Sequence, residues 1–272
     1  MKNKWFPVLL IVVTAAVMLV GCMPEIATRN VKGIEPDGLQ HTDGYDDYQG
    51  YVFGGGKERY NMLFRMKSPA TEAGKTYPLI VYLPPEGTEG TDNEKQMNYY
   101  LIRGVQNNGQ DAFVVLPQLV KEKFAFGDAK GKSSKASQLE ALIEALAAQY
   151  PIDRNRIYLT GVGQGSLAVW EQLTRSKTYA AAMPIGYGGD PATAETVDDI
   201  PIWASHDIDD SAVPVTTTDK MVEALRARGV LVNYTRYEHL ASGKEAYQEF
   251  YFDKEVWAWL FRQYRGRELG KE

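Results

Sequence analysis

Short, uninterrupted apolar runs recur along this chain at intervals that leave room for a helix between most of them. Tyr77 to Leu83, Phe113 to Leu116, Ile157 to Thr160, Ala181 to Ile185, Ile202 to Ser205 and Val230 to Tyr237 make the series. A strand wetted on one face alternates apolar and polar residues, whereas an unbroken run belongs to a strand covered on both faces. Earlier, the alternation of Tyr60, Met62, Phe64 and Met66 predicts an antiparallel strand. Between the runs, Ser137 to Tyr150 places Leu139, Leu142, Ile143 and Leu146 on one helical stripe and stops at Pro151. Further helices are predicted after the glycines at 161–165, from Thr217 to Arg228 before Gly229, and from Asp253 to Tyr264. Strands alternating with helices over this length imply an α/β fold, a mostly parallel sheet with helices on both faces.

The two ends of the pattern differ from its middle. Met1-Lys2-Asn3-Lys4 is basic, and the apolar run from Val8 to Val20 has the length of a signal-peptide core rather than of a membrane span. It closes on Leu19-Val20-Gly21-Cys22, which resembles the bacterial lipobox, where cleavage leaves an N-terminal lipidated cysteine. A plain secretory signal or a short anchor is the other reading. Met23 to Gly50 is polar and turn-rich, with no apolar period, and reads as a tether. The organisation expected is therefore a lipoprotein signal over 1–21, a tether over 22–50 and a domain over 51–268.

Composition adds two constraints. Cys22 is the only cysteine, so no internal disulfide is possible and the domain rests on its core alone. Losing Lys2 and Lys4 with the leader takes the formal net charge from −5 to −7, and no basic cluster is present, which argues against nucleic acid as a partner. Contact with a membrane would then run through the lipid on Cys22, giving an extracytoplasmic, lipid-anchored protein.

The chemistry-bearing stretch is Arg156-Ile157-Tyr158-Leu159-Thr160-Gly161-Val162-Gly163-Gln164-Gly165-Ser166. It is laid out as a strand, a glycine-spaced turn and a helix, the arrangement of the G-x-S-x-G nucleophile elbow. In such an elbow the central residue occupies a strained, positive-φ turn that lifts its hydroxyl into the cleft. Gly163 stands there, so the turn is kept and the hydroxyl is gone.

With this elbow, the stretch Gly87-Thr88-Glu89-Gly90-Thr91-Asp92-Asn93-Glu94-Lys95-Gln96, the strand entry Ile152 to Tyr158 and the run Ile200-Pro201-Ile202-Trp203 to Val213-Pro214 carry a resemblance. The chain is similar to the α/β-hydrolase superfamily, within it to secreted feruloyl esterases, polyhydroxybutyrate depolymerases and the prolyl-oligopeptidase-like phospholipase/carboxylesterase group. The family's acid loop H-G-x-x-D-x-x-V-P aligns with His206 to Pro214, which implies that Asp210 holds the acid position. Its histidine loop, aligned through Tyr237, implies that Ser242 stands where the base belongs, with His239 nearby. The oxyanion amides would be those of Gln164 and of the loop after Leu83, where Pro84-Pro85-Glu86 leaves Glu86 to donate.

Serine near neutral pH cannot exchange a proton as imidazole does, and a carboxylate at Glu86 opposes the negative charge of an acyl-transfer transition state. Ser166, one helical turn past Gly163, is the alternative hydroxyl, though a small residue packing helix on strand is the simpler reading. Asp207, Asp209 and Asp210 read as an acidic turn rather than a metal site, and no cofactor is expected. Tyr99, Tyr100, Trp170, Tyr187 and Trp203 are candidate contacts for a small ester, phenolic or sugar ligand, of which Tyr187 is the best placed to line a cleft while Trp170 and Trp203 belong to packing. The reading is an esterase-like domain that has lost its nucleophile and acts in binding or scaffolding. The alternative is a carboxylic-ester hydrolase with an unusual nucleophile.

Overall fold

A computed structural model of the protein describes residues 33–54, 62–119, 134–197, 200–238, 240 and 245–266. Its strands are β1 (Gly33–Pro36), β2 (Gln49–Gly54), β3 (Met62–Lys67), β4 (Tyr77–Leu83), β5 (Phe113–Gln118), β6 (Ile152–Val162), β7 (Ala181–Ile185), β8 (Ile202–Asp207) and β9 (Val232–Tyr237). Its helices are α1 (Tyr99–Asn108), α2 (Ser134–Gln149), α3 (Gln164–Arg175), α4 (Thr216–Ala227), α5 (Ala246–Phe252) and α6 (Lys254–Phe261). The strands form one sheet in the order β1-β2-β3-β5-β4-β6-β7-β8-β9. β1, β2, β3 and β5 pair antiparallel, and from β5 through β4 to β9 every pairing is parallel.

The apolar runs are continuous because both faces of the sheet are covered. Along β4, Leu79, Val81 and Leu83 join one core with Leu139, Leu142 and Leu146 of α2, Val169 and Leu173 of α3, and Met221 and Leu225 of α4. Ile80 and Tyr82 point the other way and join Leu101, Ile102 and Val105 of α1 with Phe250, Tyr251, Trp257 and Leu260 of α5 and α6. Period-two alternation thus divides one run between two cores. At about 25 cal/mol per Å² of apolar surface, each such side chain contributes on the order of 1.5–3 kcal/mol.

Two sequence expectations are corrected. Residues 33–50, read as part of a tether, belong to the domain: β1 and β2 extend the sheet, and the loop between them is held by buried hydrogen bonds. The Arg65 guanidinium, 1% exposed, donates to the Tyr48 and Tyr45 carbonyls, to that of Asn93 and to the Asp43 carboxylate. Asp37 accepts from Asn93 Nδ2 at 2.7 Å and lies 3.0 Å from His41 Nε2. Polar side chains that are buried in pairs look like surface in a sequence, which is why the segment reads as loop. Second, the single helix expected over Asp253 to Tyr264 is shorter and is preceded by α5. Asp253, extended at φ −74 and ψ 115, ends α5 and caps α6 by accepting from Glu255 N at 2.8 Å. α1 is an addition of the structure. Residues 1–32, with the signal and Cys22, lie outside the described residues, as do His239 and Ser242. Among the described residues no helix is long and apolar enough to cross a membrane.

Candidate functional site

The three elbow glycines answer to two different physical reasons. Gly163 is at φ 56, ψ −121, between the end of β6 and the first turn of α3. Its N–H donates to the Ile185 carbonyl at 2.9 Å, and its carbonyl accepts from Ser166 N at 2.9 Å. A Cβ at Gly163 would meet only the Pro85 Cβ, at 3.6 Å, so a side chain fits there in space and is opposed by the backbone alone. At Gly161 and Gly165 the opposition is steric. A Cβ on Gly161 would lie 2.6 Å from Gly165 C and 2.9 Å from Leu83 O, and one on Gly165 would collide with Leu83 O and lie 2.8 Å from Pro84 O. The outer glycines let α3 start directly against the end of β4; the central one only relaxes the turn.

A cavity of about 620 Å³ opens at the carboxyl ends of β4, β6, β7 and β8. Gly163 is on its wall with Pro85, Gly186 and Val162, and Asp210 is on it too, with Asp207, Asp209 and Val213. Gly163 and Asp210, which the family resemblance puts at the nucleophile and acid positions, therefore share one space. In the acid loop, Asp210 Oδ1 accepts from the N–H groups of Ala212 and Val213 at 2.8 and 2.9 Å, and Asp207 Oδ1 accepts from Asp209 N at 2.9 Å. Asp210 Oδ2 is 3.5 Å from Nε2 of the fully buried His206. That ring is already committed: Nε2 donates to the Val213 carbonyl at 3.0 Å, which leaves Nδ1 to accept from the Thr218 hydroxyl at 2.7 Å. His206 is a strut of the acid loop, and among the described residues no histidine lines the cavity.

The remaining positions separate from this space. Ser166 is fully buried and donates its hydroxyl to the Tyr187 carbonyl at 2.8 Å, which also accepts from Trp170 Nε1 at 2.9 Å. The serine ties α3 to the loop after β7 and is not on the cavity wall. Tyr187 is likewise absent from the lining, which takes Gly186 instead, so the aromatic expected to line the cleft serves through its backbone. Trp203 packs edge-on against Phe250 and Trp259 and donates to Thr235 at 2.9 Å. Gln164 is exposed at the first turn of α3, and Glu86 is exposed and off the wall, where Pro85 and Thr88 are found, the threonine donating to the Pro85 carbonyl at 2.7 Å.

The rest of the lining carries no catalytic motif legible in the sequence: Lys95, Gln96, Met97 and Asn98 from the loop leading into α1, Glu245, Ala246 and Tyr247 at the start of α5, and Tyr82 from β4. Asn98 caps α1 by accepting from Leu101 N at 3.0 Å and donates to the Tyr82 hydroxyl at 2.9 Å. Burial pushes the Tyr82 phenol well above its ordinary range, so it remains a neutral hydrogen-bond donor. Among the described residues no group of three or more His, Cys, Asp or Glu side chains is arranged to hold a metal ion. Asp207 and Asp210 of the acid loop accept backbone amides, as in an ordinary acidic turn.

Compared with known proteins, no family profile and no curated protein matches the chain. Solved structures do match. A thermostable esterase superposes with a TM-score of 0.72 at 29% identity, over 81% of this chain and 64% of its own. Pyrococcus horikoshii acylaminoacyl peptidase gives 0.59 at 14%, over 84% and 44%. A puromycin hydrolase gives 0.58 at 16%, over 82% and 41%. The fold is that of the α/β-hydrolases. This α/β-hydrolase-fold chain spans under two thirds of the length of each of these proteins. The φ, ψ pair at Gly163 and the position of Asp210 give the resemblance its local form.

Gly163→Ser tests the elbow directly. A serine forced to φ 56, ψ −121 is expected to lower stability by about 1 kcal/mol, roughly 2–4 °C of melting temperature, and to yield no ester turnover by itself. Thermal melts and a nitrophenyl-ester assay of the same sample check both halves. An unchanged melting temperature would contradict the turn, and rapid turnover would reveal a base near the cavity.

Proposed function

We propose that this protein is a lipid-anchored, extracytoplasmic binding or scaffolding protein built on an esterase-like α/β-hydrolase domain without serine-hydrolase chemistry. One observation carries the reading: the residue at the elbow, on the wall of the cavity that Asp210 also lines, is Gly163. Triad members act as a unit, and an acid without a nucleophile contributes little rate. The one neighbouring hydroxyl on α3, that of Ser166, is spent on the Tyr187 carbonyl. The anchor rests on the leader and the Leu19-Val20-Gly21-Cys22 sequence.

The likeness to a thermostable esterase at 29% identity favours a second reading, ester hydrolysis through a relocated nucleophile. The two separate in one experiment. The full chain in non-ionic detergent is treated with a fluorophosphonate probe and assayed with short-chain nitrophenyl esters. The binding reading expects neither label nor turnover above buffer. Stoichiometric labelling at one residue, with turnover lost in Ser166→Ala or His239→Ala, would establish the hydrolase instead.

A further inference from the structure

The cavity wall is unequal in charge. Asp207, Asp209, Asp210 and Glu245 bring four carboxylates to it, and Lys95, the one basic residue among the described residues of the wall, has its ammonium 3.6 Å from Asp92. These acids come from two separate places in the chain, the end of β8 with the loop after it and the residue before α5, so the excess is not one acidic turn seen twice. Asp207 and Asp210 make their loop hydrogen bonds through Oδ1. Gln96, 1% exposed and on the same wall, donates Nε2 to Asn93 Oδ1 and leaves Oε1 with no hydrogen-bond partner. An unpaired buried acceptor costs free energy that a donor would recover. Among its described residues the wall thus carries an excess of negative charge, which suits a cation and opposes an anion.

The cavity also has an aromatic exit. Tyr247, on the wall, meets Tyr100 edge-on at 5.5 Å; Tyr100 meets Phe252 at 5.2 Å and Tyr99 at 5.3 Å. Tyr99 is 51% exposed and Phe252 44%, so this row leads from the cavity to solvent as an uncovered shelf. Rings beside carboxylates are the combination that holds an organic cation, through cation–π attraction and charge together.

We propose that the cavity binds a primary ammonium compound with a flat apolar body, the ammonium among Asp207, Asp209, Asp210 and Glu245 and the body along Tyr247 toward Tyr100 and Phe252. This deepens the binding reading above and rests on it. The same charge disfavours an anionic acyl-transfer intermediate, in keeping with the missing hydroxyl.

Isothermal titration of the full chain in non-ionic detergent with 2-phenylethylammonium, 2-phenylethanol and phenylacetate tests it. The ammonium is expected to bind saturably, at least about tenfold tighter than the alcohol, with the carboxylate not binding. Raising the salt to 0.5 M, a concentration at which charge is screened within roughly 4 Å, is expected to weaken the ammonium several-fold and the alcohol not at all. Asp209→Asn with Glu245→Gln, two exposed positions, is expected to weaken the ammonium at least about fivefold with an unchanged melting temperature. Tyr247→Ala is expected to weaken ammonium and alcohol alike. Equal affinity for ammonium and alcohol, binding of phenylacetate, or no binding by any probe would overturn the assignment. Nitrophenyl-ester turnover by the same sample would overturn the binding reading but leave the ligand class standing if the ammonium selectivity holds.

Discussion

Gly165→Ala is expected to destabilise the protein by at least about 3 kcal/mol, lowering the melting temperature by roughly 6–12 °C, while Gly163→Ser two residues away costs about a third as much. The reason is what each new Cβ meets. At Gly165 it collides with the Leu83 carbonyl oxygen and lies 2.8 Å from the Pro84 oxygen, both backbone atoms at the end of β4, a strand buried along its whole length. No rotamer change relieves a clash with backbone. Either α3 lifts from the sheet, opening the packing of Val169 and Leu173, or β4 shifts and carries Pro84-Pro85 with it. Gly163 has φ 56 and free space beyond, so the penalty is torsional only. Thermal denaturation of the two variants side by side decides the matter: equal losses would mean that the close approach of β4 and α3 is wrong.

This ordering shows how much of the elbow is legible in the sequence. Three glycines at alternate positions between an apolar strand and a helix announce the turn, and a glycine rather than a serine at position 163 is visible by inspection. The distinction between glycines required by close approach and a glycine required by φ is not, because it depends on β4, some eighty residues earlier in the chain. The parallel strands were likewise legible. Tyr77–Leu83 and Ala181–Ile185 have the expected ends, since a strand buried on both faces has no polar residue to blur its limits. α1 was not legible. Its sequence, Tyr99 to Asn108, carries Gly104 at its centre, a poor helix former; the structure places that glycine against Tyr251 O and Trp257 Nε1, where a Cβ would come within 2.6 Å of the indole nitrogen. Tertiary contact has overridden local preference.

The site divides in the same way. Gly163 and Asp210 were legible as positions in a family pattern, and the structure brings both to one cavity. The acidic and aromatic character of that cavity was not, because Glu245, Lys95, Tyr100 and Phe252 are distant in sequence and carry no motif. Ser166 and Tyr187 looked like candidates because their chemistry was right, yet the Ser166 hydroxyl is spent on the Tyr187 backbone carbonyl and Tyr187 is not on the cavity lining. Sequence can count hydroxyl groups, but only the fold says which are spent.

Arg65→Met is expected to be the costliest single change outside the elbow, about 3–5 kcal/mol. The guanidinium is 1% exposed and makes five hydrogen bonds, at 2.6 and 3.0 Å to the Tyr48 and Tyr45 carbonyls, 3.3 Å to that of Asn93, and 3.0 and 3.3 Å to the two oxygens of Asp43. Methionine fills much of the volume and satisfies none of them. It strands Asp43, whose side chain is 14% exposed, and three carbonyls that otherwise hold the β1–β2 loop to β3 and to the stretch leading into α1. Arg65→Lys is expected to recover only part of the loss, since one ammonium on a flexible stem cannot span acceptors arranged for a planar fork. Adding Asp43→Ala to Arg65→Met is expected to restore some stability by removing the unpaired carboxylate, though not the carbonyl bonds, so the two losses are not additive. Limited proteolysis should then cut within residues 37–48 of Arg65→Met and spare the parent protein. A loss below about 1 kcal/mol in denaturant unfolding, with no new cleavage, would make residues 37–48 the tether that their sequence suggests and detach them from the wall of the domain.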